Sequence, residues 1–176
     1  MRTLTVMAAL AAVAVAGGAQ TSQSGTGKAS QPLFHIERTM NANKLYYEAN
    51  LTAEGKLDPE EPVKAHWIMW AKDPSGKTIE GLNLIERTKV YGFNVSLDKS
   101  GKHYNMTLKP FKERLIKVYL QEGKARAEMI IDGRPSYFTR MHIFSKGNSK
   151  PDSIKLHGTD VEFGTKTYEL FIPKKD

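Results

Sequence analysis

The chain has no cysteine among its 176 residues. That excludes disulfide staples, thiolate metal sites and a lipid anchor on an N-terminal cysteine, and leaves ordinary packing to hold the fold. Long apolar sequence is also scarce. The one sustained stretch, Leu4 to Val15, is shorter than the roughly 20 residues that a bilayer-spanning helix needs. Serine nucleophile elbows, phosphate-cradling glycine loops and paired-cysteine metal motifs are all missing, so no catalytic class is announced by a motif. The formal charge is +7, and the excess is spread along the chain rather than gathered into a block. Such a balance keeps strand faces and edges soluble, and it attracts anionic surfaces such as lipid head groups or acidic glycans. There is no helical recognition pattern or pair of stacking rings at a useful spacing, so nucleic acid is not an expected partner.

What is present begins at the N-terminus. Met1-Arg2 supplies a positive charge, Leu4 to Val15 an apolar segment, and Gly17-Gly18-Ala19 the small side chains that a signal peptidase accepts. Residues 1–19 are therefore expected to be a signal peptide, cut after Ala19. The product is expected to be exported, periplasmic or secreted, with no transmembrane anchor in the mature chain. Residues 20–31, rich in Ser, Thr, Gly and Gln, read as a flexible lead. Residues 32–176 read as a single β domain, long enough to bury a core.

Alternation of period two runs through that domain. Leu45, Tyr47, Ala49 and Leu51 share one face of a strand, and Lys44, Tyr46, Glu48 and Asn50 the other. Val63, Ala65, Trp67 and Met69 likewise oppose Lys64, His66, Ile68 and Trp70. Residues 80–88 break the alternation, and the spacing of Leu82 and Ile85 predicts a short helical segment there. Strands resume at 91–97, 104–109, 115–121, 124–131 and 134–144. Glu122-Gly123 and Asp132-Gly133 serve as hairpin turns, because such residues tolerate positive φ. A strand at 154–157 and a last hairpin, 161–163 with 167–172, complete the pattern. Some ten strands joined by short turns predict an all-β, antiparallel meander, closed as a β-sandwich or a lipocalin-like barrel.

Several phrases then recur in one order. They are Phe34-His35-Ile36-Glu37-Arg38, Tyr46-Tyr47-Glu48-Ala49-Asn50, Gly55-Lys56-Leu57-Asp58-Pro59, His66-Trp67-Ile68-Met69, Leu82 to Arg87, and Tyr91-Gly92-Phe93. In these the chain resembles a family of exported bacterial proteins known only as a domain of unknown function. The resemblance implies one extracytoplasmic domain and brings no activity with it.

Candidate sites follow from residue type and strand geometry. His35 and Glu37 stand at i and i+2, on one face of a strand, and with His66 from a later strand they form a candidate metal trio. The alternative is a half-exposed polar face. Tyr46, Trp70 and Tyr91 belong to an aromatic cluster able to line a ligand cavity. Arg38 and Arg87, beside Glu37 and Glu86, are candidates for orienting a ligand carboxylate or for pinning a loop. Three classes of function remain, in this order. The first is a non-enzymatic envelope binding protein for a small apolar or amphiphilic ligand. The second is an interaction or structural module that docks on an anionic envelope surface. The third is a metal-assisted hydrolase using His35, Glu37 and His66. No cofactor is identified.

Overall fold

Burial follows the alternation read from the sequence as far as Ala49; Asn50, expected on the outward face, is buried too, its side-chain amide donating to the Glu61 carbonyl. Along Asn41–Leu51, Leu45, Tyr47 and Ala49 are fully buried, while Lys44, Tyr46 and Glu48 between them are half-buried. The computed structural model of the chain describes residues 29–146 and 151–173; the expected signal peptide lies outside them. Eleven strands are present among the described residues. They are β1 (Ala29–Arg38), β2 (Asn41–Leu51), β3 (Val63–Ile68), β4 (Ile79–Gly81), β5 (Phe93–Leu97), β6 (Tyr104–Leu108), β7 (Phe111–Gln121), β8 (Lys124–Ile131), β9 (Arg134–Phe144), β10 (Ser153–Asp160) and β11 (Lys166–Phe171). The fold is all-β, as the alternation predicts. Strand β1 begins at Ala29, so the end of the expected lead is paired: the Gln31 amide donates to the Gly123 carbonyl at 2.9 Å.

All the strands belong to one sheet, in the order β4-β3-β2-β1-β9-β8-β7-β6-β5, with β10 and β11 continuing from the other side of β9. Every pairing is antiparallel except β1 with β9, which run parallel through His35↔Arg140 to Arg38↔Ile143. This pairing is what departs from a pure meander. The first half of β9 pairs with β8 and the second half with β1, so the sheet forks and curls into a half-barrel. Two layers then face each other. Phe93 of β5 meets Tyr47 of β2 edge-on at 5.7 Å, and Phe111 of β7 meets Phe171 of β11 at 5.2 Å. Between them lie Ile36, Leu45, Tyr47, Met106, Ile116, Val118, Ile131, Phe138 and Leu156, all essentially inaccessible. Burying side chains of this size stabilises the fold by about 1.5–3 kcal/mol each.

The turns follow the local chemistry. Glu122 and Gly123 have φ of 50° and 74°, and Asp132 and Gly133 51° and 76°, the left-handed pair that a tight hairpin demands. Two segments differ from the sequence reading. Ile79–Gly81 is a short edge strand on β3, and the helical segment runs later, through residues 84–90, with a π-helical stretch at Glu86–Val90. A reciprocal cap sets its start. The Asn83 amide N–H donates to the Glu86 carboxylate, and the Glu86 N–H donates to the Asn83 side-chain oxygen. Residues 161–163 form a turn, not a strand, because the Asp160 carboxylate accepts from the N–H groups of Glu162 and Phe163, each at 2.9 Å.

Candidate functional site

The alternation of β1 carries on past the core: His35 outward, Ile36 inward, Glu37 outward, Arg38 inward. Arg38 thus turns toward the space between the layers. There, where the curled sheet opens, lies a cavity of about 310 Å³. Its walls are Ile36, Tyr47, Tyr91, Phe111, Met141 and Ile154; its polar groups are Arg38, Lys89 and Ser145. Arg38 makes no ion pair with a carboxylate among the described residues. The Ser145 hydroxyl is buried without a hydrogen-bond partner among the described residues.

The helical segment supplies one wall through Lys89, Val90 and Tyr91. Tyr91 is held from two sides. Its ring meets Trp67 edge-on at 5.2 Å, and its carbonyl accepts from the buried Tyr47 hydroxyl at 2.8 Å. Burial pushes the Tyr91 hydroxyl pKa up, against the pull of the Arg38 guanidinium beside it. Gly92 lets the chain double back from this segment into β5. A Cβ there would lie 1.7 Å from the Arg87 carbonyl oxygen, a distance no side chain can tolerate.

The opposite face of the same layer carries a second group of polar residues. Register places His66, Tyr46, His35, Arg140, His157 and Tyr168 in one row across β3, β2, β1, β9, β10 and β11. Tyr46 stacks between His35, at 5.3 Å, and His66, at 6.2 Å. Glu37 stands one row away. Its Oε1 is 2.9 Å from Arg140 Nη1 and 3.5 Å from His35 Nε2, and its Oε2 is 3.7 Å from Lys44 Nζ. Burial opposes its ionisation, but the summed attraction of Lys44, Arg140 and His35 holds its pKa below the usual carboxylate value. His35 and His66 are both shifted down, chiefly by burial.

The residues singled out in the sequence therefore separate. His35 and Glu37 do share a face and touch, but His66 lies two strands from His35 with the Tyr46 ring between them. The two imidazoles stack on opposite sides of that ring, at 5.3 Å and 6.2 Å from it, so their nitrogens do not converge on one ion. Among the described residues, no three His, Asp or Glu side chains are grouped as metal ligands. Arg38 and Tyr91 line the cavity; Tyr46 does not. Arg87 lies by another hollow, with Lys64 and Lys109, and Glu86 is occupied in the cap of the helical segment. Trp70 lies under the Asp73–Gly76 turn, where a Cβ on Gly76 would come within 2.4 Å of its ring. Sequence reasoning missed Lys89 and Ser145 in the cavity, and Arg140 and His157 in the outer row. No motif marks them: the fork at β9 brings Ser145, Arg140 and His157 into place, and the docking of Tyr91 on Tyr47 and Trp67 brings Lys89.

Fold and cavity together define a class: an all-β domain whose single curled sheet holds a small apolar cavity with cationic groups on its wall. Residues 34–170 match the family described as Domain of unknown function (DUF4833), and the chain belongs to that family. Neither the curated proteins nor the solved structures give a match.

Proposed function

We propose that this protein is an exported, non-enzymatic binding protein for a small amphiphile with a single anionic group. The apolar part of the ligand lies between the sheet layers and its anion meets Arg38. The observation that carries this reading is an arginine turned into an apolar cavity with no carboxylate partner among the described residues. A cation beside apolar walls loses hydration that only a counter-charge replaces well. The unpartnered Ser145 hydroxyl offers a second polar contact. The volume, about 310 Å³, stands at the small end of the roughly 300–1,000 Å³ range of ligand pockets, which favours a short chain or a single ring. Export rests on the charge, apolar segment and small residues of 1–19.

The test compares octanoate with octanol, which share a chain and differ in charge, by calorimetric titration of the wild type and of Arg38→Leu. Octanoate is expected to bind the wild type and to lose about tenfold or more in Arg38→Leu, since a charged hydrogen bond contributes about 1.5–3 kcal/mol. Octanol is expected to respond little to the substitution. Equal binding of both ligands to both proteins, or binding of neither to the wild type, would overturn the reading.

A further inference from the structure

The outer face of β1, β9, β10 and β11 has a hollow that the cavity reading leaves unused. It arises from a β-bulge. Between His157↔Arg140 and Gly158↔Phe138 the register slips, leaving Thr139 as the extra residue of β9. Phe138 and Met141 are buried, so Thr139 and Arg140 both turn outward. On the partner strand Gly158 fits because a Cβ would meet Ile131 and the Tyr137 carbonyl at 2.8 Å. Bulges of this kind re-aim side chains. The result is an open groove of about 410 Å³ lined by His35, Arg140, His157, Lys166 and Tyr168, with threonine hydroxyls along it.

The chemistry of the lining has one sign. It holds an arginine, a lysine, two imidazoles, a phenol and hydroxyls, all able to donate, and among the described residues no carboxylate. Lys166 stands directly opposite Thr159, one register step from the Tyr168–His157–Arg140 row, so its ammonium and the Arg140 guanidinium flank the same hollow. Arg140 is oriented from both sides. Nη1 lies 2.9 Å from Glu37, and Nη2 lies 3.2 Å and 3.3 Å from the two ring nitrogens of His157. A fixed guanidinium beside convergent donors is the arrangement that recognises a tetrahedral oxyanion.

We propose that this groove is a second binding site, taking the phosphate or sulfate group of a small anionic ligand between Arg140, His157, Lys166 and Tyr168.

Acid should strengthen it. The charged and titratable groups facing His157 are Arg140, His142 and Glu37 from β9 and β1, with Lys155 on its own strand and Lys166 and Tyr168 from β11. Burial and the neighbouring cations keep its imidazole neutral further into acid than usual. A bound dianion reverses that balance, so binding takes up a proton.

Sulfate is the probe, because its charge stays constant between pH 7.5 and 5.5. It is titrated into the purified protein, with ¹⁵N–¹H and histidine ring resonances followed against sodium chloride at equal ionic strength. Saturable shifts at His157, Tyr168 and Lys166 are expected, several-fold tighter at pH 5.5. They should weaken about tenfold in Lys166→Gln and in Arg140→Gln. Lys166 is exposed, so that variant stays informative even if Arg140→Gln does not fold. Shifts equal to those with chloride, or unchanged in Lys166→Gln, would overturn the site. Glycerol phosphate and vesicles containing phosphatidylglycerol separate the possible sources: co-flotation with vesicles, without a response to soluble anions, would equally overturn a small-ligand site. Octanoate binding through Arg38 is read on different resonances, so either site can fail alone.

Discussion

Tyr47 shows how one side chain joins core to cavity. Its ring stacks on Phe34 at 4.5 Å and meets Phe93, while its hydroxyl donates to the Tyr91 carbonyl. Tyr47→Phe keeps the ring and strands that carbonyl, so it is expected to lower the unfolding free energy by about 1–3 kcal/mol, read from urea denaturation. It should also loosen the wall that Tyr91 provides and weaken octanoate binding modestly. Trp70 makes the opposite case. An aromatic on the less apolar face of its strand reads as a ligand contact, and Trp70→Ala then should spare stability. In the fold its ring underlies the Asp73–Gly76 turn instead. Trp70→Ala is therefore expected to lower Tm and leave octanoate affinity within about twofold of wild type. The signal was ambiguous because an aromatic off the core face serves a turn as readily as a ligand.

At the scale of elements, the segment from Asn83 to Phe93 matters most, since it caps the cavity and changes direction sharply. Its spacing announces helix, while its reciprocal cap between Asn83 and Glu86 is seen only in the structure. Its place over the core was not legible either, because that depends on β2 and β3 presenting Tyr47 and Trp67 to Tyr91. Asn83→Ala removes one half of the cap and is expected to destabilise the segment by about 0.5–2 kcal/mol. Faster amide exchange across residues 84–91, with β7 and β8 unchanged, is the check. Gly92→Ala is more severe. Its new methyl collides with the Arg87 carbonyl, so the segment must move off the sheet, at a cost of about 1–3 kcal/mol or more. Both Tm and octanoate affinity are expected to fall together in that variant.

At the scale of the whole molecule, acid should weaken the fold through its histidines. His35, His66 and His157 all have pKa values lowered from an ordinary 6.5, with burial as the first cause and neighbouring cations assisting. The unfolded chain then binds more protons than the folded one, so stability rises with pH across that window. The contribution is whole above about pH 6.5 and is lost as the pH falls through the lowered folded values. Glu37 acts the same way deeper in acid, because its folded pKa lies below the ordinary 4.5. Tm is expected to decline between pH 7 and pH 5, and to decline less in a His35→Gln, His66→Gln, His157→Gln variant. An identical slope in that variant would place the acid sensitivity elsewhere. Sulfate should offset part of the decline if the outer groove binds it.

The period of two in residues such as Leu45, Tyr47 and Ala49 determined strand identity, face and the all-β class, because a pleated backbone sends alternate side chains to opposite sides. Pairs such as Asp132-Gly133 determined the hairpins, because few residues accept positive φ. His35 and Glu37 were legible as neighbours for the same local reason. The tertiary structure alone decided that His66 stands beyond Tyr46, that Arg38 turns into a cavity, and that Arg140 meets His157 and Glu37. The first follows from the antiparallel pairing of β2 with both β1 and β3, and the others from the parallel pairing of β1 with β9 and the fork it creates. Strands β1 and β9 lie about a hundred residues apart in sequence. Alternation specifies which face a residue takes, and it carries no information about which distant strand will lie beside it.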